Sequence, residues 1–188
     1  MGLDSVELVL EFEKFFRIKI EDREAEKITT LGETVTLVGQ KLNINQKSCP
    51  IYNEFETFVI EELIQHKVFP SSIQLNDNVL EHINLEDKVV VELISQTLEM
   101  EVSTNNEYLS TFWKSIFGTS TPPNIIITLH EFIESIAILN YDKLYSSGTI
   151  DNLQQIYLAV AKITYDKMGL NVYELGRDKS YVNDLGID

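Results

Sequence analysis

Apolar residues recur at three- and four-residue spacing along most of this chain, a pattern that predicts helices rather than strands. From Val6 to Ile20, the residues Val6, Val9, Phe12 and Phe16, with Leu8 and Phe15 beside them, mark one buried helical face. Asp4 stands where an N-cap would, with Glu7 three residues on. This helix is therefore expected to begin at the Asp4–Ser5 junction and to leave the Ser5 hydroxyl at an exposed helix start. A short charged helix follows around Glu21 to Lys27, and Thr30-Leu31-Gly32-Glu33 has the form of a capping box ahead of Val35, Val38 and Leu42. Gln40 to Pro50 is polar and ends in proline, so it reads as a linker. Phe55 to Phe69 is helical by pattern, with Phe55, Phe58, Val59, Leu63 and Ile64 on its apolar side and Pro70-Ser71-Ser72 as its stop. Tyr141 to Gly148 reads as a second linker; Ile156, Val160, Ile163 and Met168 mark a helix ending at Gly169, and Asp178 to Asp188 is loop.

The same pattern occurs more than once. Shifted by 102 positions, Ile73, Val79, Leu80, Ile83 and Leu85 fall without a gap on Leu175, Tyr181, Val182, Leu185 and Ile187. Shifted by 82 the other way, Leu85, Val91, Ile94, Met100 and Val102 fall on Leu3, Val9, Phe12, Ile18 and Ile20. Thr128-Leu129-His130-Glu131 repeats the Thr30 capping box ahead of Phe132, Ile133 and Ile136. The middle of the chain thus reads as a second, diverged copy of one fold.

Composition narrows the classes. At 188 residues, 44% of them hydrophobic, the chain has room for two small folded domains. Apolar runs such as Val89 to Val91 and Ile125 to Ile127 are too short for a membrane span. A formal charge of −15 repels phosphate backbones and argues against nucleic acid as a partner. The lone Cys49 makes no internal disulfide, which with the absence of a signal segment predicts a cytoplasmic protein. His66, His82 and His130 are scattered without metal-ligand spacing, and no Gly-rich phosphate loop, G-x-S-x-G elbow or Cys-x-x-Cys pair is present, so no enzymatic constellation is predicted.

GLDSVELVLEFEKFFRIKIEDREAEKITTLGETVTLV, Gly2 to Val38, resembles an acyl carrier protein from its modified serine onward. GLNVYELGRDKSYVNDLGID, Gly169 to Asp188, resembles the loop leading up to that serine. The resemblance implies an all-α chain of two acyl-carrier-like four-helix bundles. One would be split across the termini, its second helix onward in residues 1–45 and its first helix and loop in 149–188. The other, in 50–140, would be degenerate, because Asp87 stands in the place of Ser5 and Glu86 in that of Asp4, and a carboxylate cannot take the arm. This middle copy also carries an insertion, Asn105 to Asn124, with Tyr108, Phe112, Trp113, Ile116 and Phe117 ahead of Pro122-Pro123; it reads as an extra core helix or a contact surface. The split copy would close as a circular permutation within one chain or by swapping between chains of a homo-oligomer, or the chain is an excised piece of a longer array.

By the same resemblance, Ser5 is the attachment point of 4'-phosphopantetheine, with Asp4 beside it, and acyl groups ride on the arm as thioesters in fatty acid, polyketide or related biosynthesis. The implied partners are a phosphopantetheinyl transferase and acyl-transferring or condensing enzymes with basic docking surfaces, met by Glu7, Glu11 and Glu13. The groove beneath Val6, Val9 and Leu10 would shelter a short acyl chain or serve as plain core. One departure is a short interval between Ser5 and the VELV stretch, which makes this recognition helix nearly a turn shorter than in many carriers. The carrier is expected to be no enzyme; the competing expectation is a non-carrier interaction or scaffold protein that retains the fold.

Overall fold

The computed structural model describes residues 2–104, 126–146 and 148–187, so the aromatic stretch from Asn105 to Asn124 lies outside the described residues. Among them the α-helices are α1 (Leu3–Phe16), α2 (Asp22–Ala25), α3 (Leu31–Leu42), α4 (Pro50–Gln65), α5 (Lys88–Leu98), α6 (Leu129–Leu139), α7 (Tyr141–Leu144) and α8 (Leu153–Met168). No strand forms among the described residues, and the all-helical expectation holds. The chain divides into two compact units, Met1–Tyr52 with Tyr141–Asp188, and Asn53–Asn140.

In the first unit, α8 packs against α3, α1 and α7. Ile156, Tyr157, Leu158, Ala159, Val160 and Ala161 are all buried, so α8 is covered on nearly every side, as a central helix must be. Asn152 starts it by accepting the Gln155 N–H at 2.9 Å, and Gly169, at φ 64, ends it in the left-handed conformation that glycine tolerates. Helix α3 begins at the predicted capping box: Thr30 Oγ1 accepts the Glu33 N–H at 3.2 Å, and the Glu33 carboxylate accepts the N–H groups of Thr29 and Thr30. Gly39 lets α3 approach α8, since a Cβ there would lie 2.7 Å from Leu153 Cδ2.

Both supposed linkers hold buried residues, although Asn45 to Ser48 of the first are exposed. Helix α3 runs to Leu42, Cys49 is 3% exposed with its Sγ 3.4 Å from the Tyr145 hydroxyl, and residues Tyr141–Leu144 form α7. Tyr141 and Tyr145 are buried, their rings 5.1 Å apart. Polar neighbours in the sequence hid these rings, whose area makes them core residues wherever a hydroxyl partner can be found.

In the second unit Phe55, Val59 and Leu63 of α4 are buried as expected, while Phe58 is 40% exposed. Pro50 opens α4 as its first helical residue, where proline's missing N–H costs nothing. Phe69 meets Phe132 edge-on at 6.2 Å, over a core of Val79, Leu85, Ile94, Ile133 and Ile136.

Equivalent backbone hydrogen bonds recur in the two units. In the second, Val79 N–H donates to Ile127 O, Leu129 N–H to Asp77 O and His130 N–H to Leu75 O, each at 2.9 Å. In the first, Tyr181 N–H donates to Thr29 O at 2.9 Å, Leu31 N–H to Lys179 O at 3.3 Å and Gly32 N–H to Arg177 O at 2.8 Å. Residues 75, 77 and 79 match 177, 179 and 181 under the 102-position shift that aligns the sequences. The second unit makes this clasp with its loop ahead of its helix; in the first the loop comes from the far end of the chain.

Candidate attachment site

Helix α1 starts earlier than its sequence predicts. Gly2 is its N-cap, with no side-chain cap hydrogen bond, and Asp4 lies in the first turn rather than at the cap. Ser5 is consequently the third residue of the helix, and it is half-buried. The matched position of the second unit differs. There Asp87 is the N-cap of α5, its carboxylate accepting the Val89 N–H at 2.9 Å, because the chain enters from the buried Leu85 two residues before. Helix α1 instead extends back to Leu3, with Gly2 as its cap.

Ile187, which the repeat matches to Leu85, is buried as Leu85 is, at 3% exposed, whereas Leu3, which aligns with the same position, is 73% exposed. Ile187 and Ser5 line a common cavity of about 210 Å³ with Leu8, Val9, Phe12, Ile28 and Tyr181. Leu8, Phe12 and Phe16 form the buried face of α1, whereas Val6 and Leu10 point outward at 40% and 55% exposure. The groove therefore has Val9 on its wall, as expected, but not Val6 or Leu10. Sequence reasoning placed the tail as loop and missed Tyr181 and Ile187 as lining residues; their match to the buried Val79 and Leu85 was the signal.

Tyr181 holds the tail in place. Its hydroxyl lies 2.7 Å from Thr34 Oγ1 in the interior, and burial, outweighing hydrogen bonds from Thr34 and Thr164, pushes its phenol well above the ordinary value. Arg177 stacks its guanidinium 3.9 Å over the Tyr157 ring. Gly32 is required opposite it, since a Cβ there would come within 2.8 Å of the Arg177 carbonyl oxygen.

The α1 carboxylates expected to meet basic partners have cationic neighbours of their own. Glu7 pairs with Lys167 at 3.1 Å and Glu11 with Lys14 at 3.6 Å, partly exposed pairs that contribute little to stability and leave the carboxylates within reach of solvent. Glu13 is turned inward instead: it accepts the Ile20 N–H at 2.7 Å and pairs with Lys19 at 3.1 Å. The Ile20 N–H, followed by Lys19 and against a small desolvation, holds its carboxyl below the usual range. Of the acids singled out, Asp4 and Glu7 are exposed beside Ser5, Glu11 is half-exposed, and Glu13 braces the turn after α1. His66, His82 and His130 are all exposed, and no cluster of metal-ligating side chains occurs among the described residues. No helix among them is long and apolar enough to cross a membrane.

Comparison with known proteins places this geometry beside one class of relatives. An acyl carrier protein of Picosynechococcus sp. is 54% identical over 44 residues, which are 23% of this chain and 54% of that protein. Acyl carrier proteins of Thermotoga maritima and Petrotoga mobilis are 45% and 44% identical, over 22% and 24% of this chain and 51% and 54% of their own lengths. The chain spans about half the length of the curated relatives it matches. These are proteins named as carriers, not as enzymes. No family model matches the chain, and no solved structure matches it. Part of the chain therefore resembles acyl carrier proteins, and the helical fold agrees with that likeness.

Proposed function

We propose that the first unit is an acyl carrier domain whose halves lie at opposite ends of the chain, and that Ser5 carries 4'-phosphopantetheine. The observation that carries this reading is the seat of Ser5 in the first turn of α1, lining a largely apolar cavity that Ile187 and Tyr181 also line. The residues present fit the group. A phosphodiester at Ser5 would sit by the amino end of a helix of 14 residues, where the dipole favours negative charge, and the cavity offers apolar wall beside it. Once bound, the arm supplies a thiol on which acyl groups are held as thioesters.

In the attachment step the Ser5 oxygen forms a bond to the phosphorus of coenzyme A next to pantetheine, the pyrophosphate linkage breaks, adenosine bisphosphate leaves, and the serine proton goes to a base of the transferase. Ser5 does not activate itself, so the chain is a carrier and not an enzyme. Asp4, Glu7 and Glu11 face the basic surfaces of the transferase and of acyl-transferring or condensing enzymes. Glu13 contributes by fixing the end of α1. The second unit keeps the shape without the attachment serine: Asp87 is committed to capping α5. Closure within one chain is the simplest arrangement, and fatty acid or polyketide assembly in a reducing compartment such as the cytoplasm is the setting that the likeness suggests.

A second reading, an interaction or scaffold protein that keeps the carrier fold unmodified, is favoured by the placement of Ser5 inside the helix rather than at its cap. Intact mass after incubation with coenzyme A and a broad-specificity phosphopantetheinyl transferase separates the two. One added phosphopantetheine on the wild type and none on Ser5→Ala supports the carrier. No addition on a folded chain makes the scaffold reading the better one. Light scattering across concentrations tests closure: a stable monomer excludes swapping, and a concentration-dependent oligomer excludes simple permutation.

A further inference from the structure

Helix α5 of the second unit turns two apolar side chains to solvent, Val89 at 74% and Leu93 at 57% exposure. They stand one turn apart and form a single stripe, continued by the exposed Gln96. At about 100° per residue the exposed Glu92 falls on one flank of this stripe with Lys88 further round the same side, and the exposed Glu86 stands in the turn just before the helix. The 82-position shift matches Val89 and Leu93 to Glu7 and Glu11 of α1, which are charged and ion-paired. Where the first unit has charged, ion-paired side chains, the second has apolar ones, with Glu92 beside them and Glu86 just ahead of the helix.

We propose that this face of α5 is a docking surface for a basic amphipathic helix of a partner protein, one whose apolar ridge is bordered by Lys or Arg. Charge decides the occupant. Residues 53–140 contain fourteen acidic and three basic residues, the larger part of the chain's formal −15. A second copy of the chain would bring Glu86 and Glu92 against their own counterparts and is repelled, as are anionic membranes. A helix with Lys or Arg beside its apolar ridge meets these carboxylates and covers Val89 and Leu93, as in groove-and-ridge helix recognition. The docked partner would be held by a unit that carries no arm, and the covalent link to the first unit would raise its effective concentration there.

The test uses the full chain and a synthetic amphipathic helix of about five turns with a Leu ridge and Lys flanks. Amide chemical shifts map its site, and a peptide with Glu in place of every Lys is the control. The expected result is saturable binding that weakens with salt, with shifts centred on Val89, Glu92, Leu93 and Gln96, and no binding of the Glu peptide. Leu93→Gln should weaken binding about ten-fold while leaving the native spectrum intact; Val89→Thr provides an independent, milder replacement. Shifts centred on α1, equal binding by both exposed-site variants, or self-association of the chain through α5 overturns the proposal. Ser5→Ala should bind the peptide like the wild type, so failure of the carrier reading and failure of this one are told apart.

Discussion

Ile187→Ala examines how the first unit is closed. Ile187 is 3% exposed and matches the buried Leu85 under the sequence shift, whereas Leu3, which matches the same residue, is 73% exposed. Truncating a buried Ile to Ala costs about 2–5 kcal/mol, and because Ile187 already borders a cavity its share of packing is at the low end, about 2 kcal/mol. Leu3→Ala should cost under about 0.5 kcal/mol, as exposed substitutions do. Cys49, the single cysteine, is buried in the first unit and reports its opening through thiol labelling. In mild urea, where labelling follows unfolding of the unit, a loss of about 2 kcal/mol raises the rate roughly 30-fold. Leu3→Ala should leave it within about two-fold. Equal acceleration by the two variants, or none from Ile187→Ala, would refute the reasoning: the tail would then not be the piece that closes the core.

Gly32→Ala should destabilise the first unit by about 1–3 kcal/mol despite the higher helix propensity of alanine, because its Cβ would meet the Arg177 carbonyl; urea unfolding measures it. Tyr181→Phe removes the hydroxyl bonded to Thr34 and should cost about 1 kcal/mol by the same measurement, with Thr34 keeping its bond to the Thr30 carbonyl. Thr30→Ala should cost about 1 kcal/mol through loss of the α3 cap. Burial pushes the Tyr141 phenol up to about 12, and those of Tyr145 and Tyr181 well above the ordinary value. Unfolded phenols titrate near ~10, so this contribution is fully present below that pH and is lost as pH rises through the folded values; circular dichroism should show the first unit melting in that alkaline window.

The helical periods, the Thr30 and Thr128 capping boxes, the Gly169 stop and the match of Val79 and Leu85 to Tyr181 and Ile187 were all legible in the sequence, because each rests on local spacing or on likeness at a fixed shift. Local rules reached their limit where partners came from a distance. Asp4 has the chemistry of a cap, yet whether it caps depends on how the backbone enters α1, and there the helix begins at Leu3 with Gly2 as its cap. Leu3 and Ile187 both match Leu85 by sequence, and only the packing shows that Ile187 is buried and Leu3 exposed. Tyr141, Tyr145 and Cys49 sit in polar surroundings in the sequence and become core only because the two ends of the chain meet around them. Glu7 likewise acquired its counter-charge, Lys167, from a helix more than a hundred residues away.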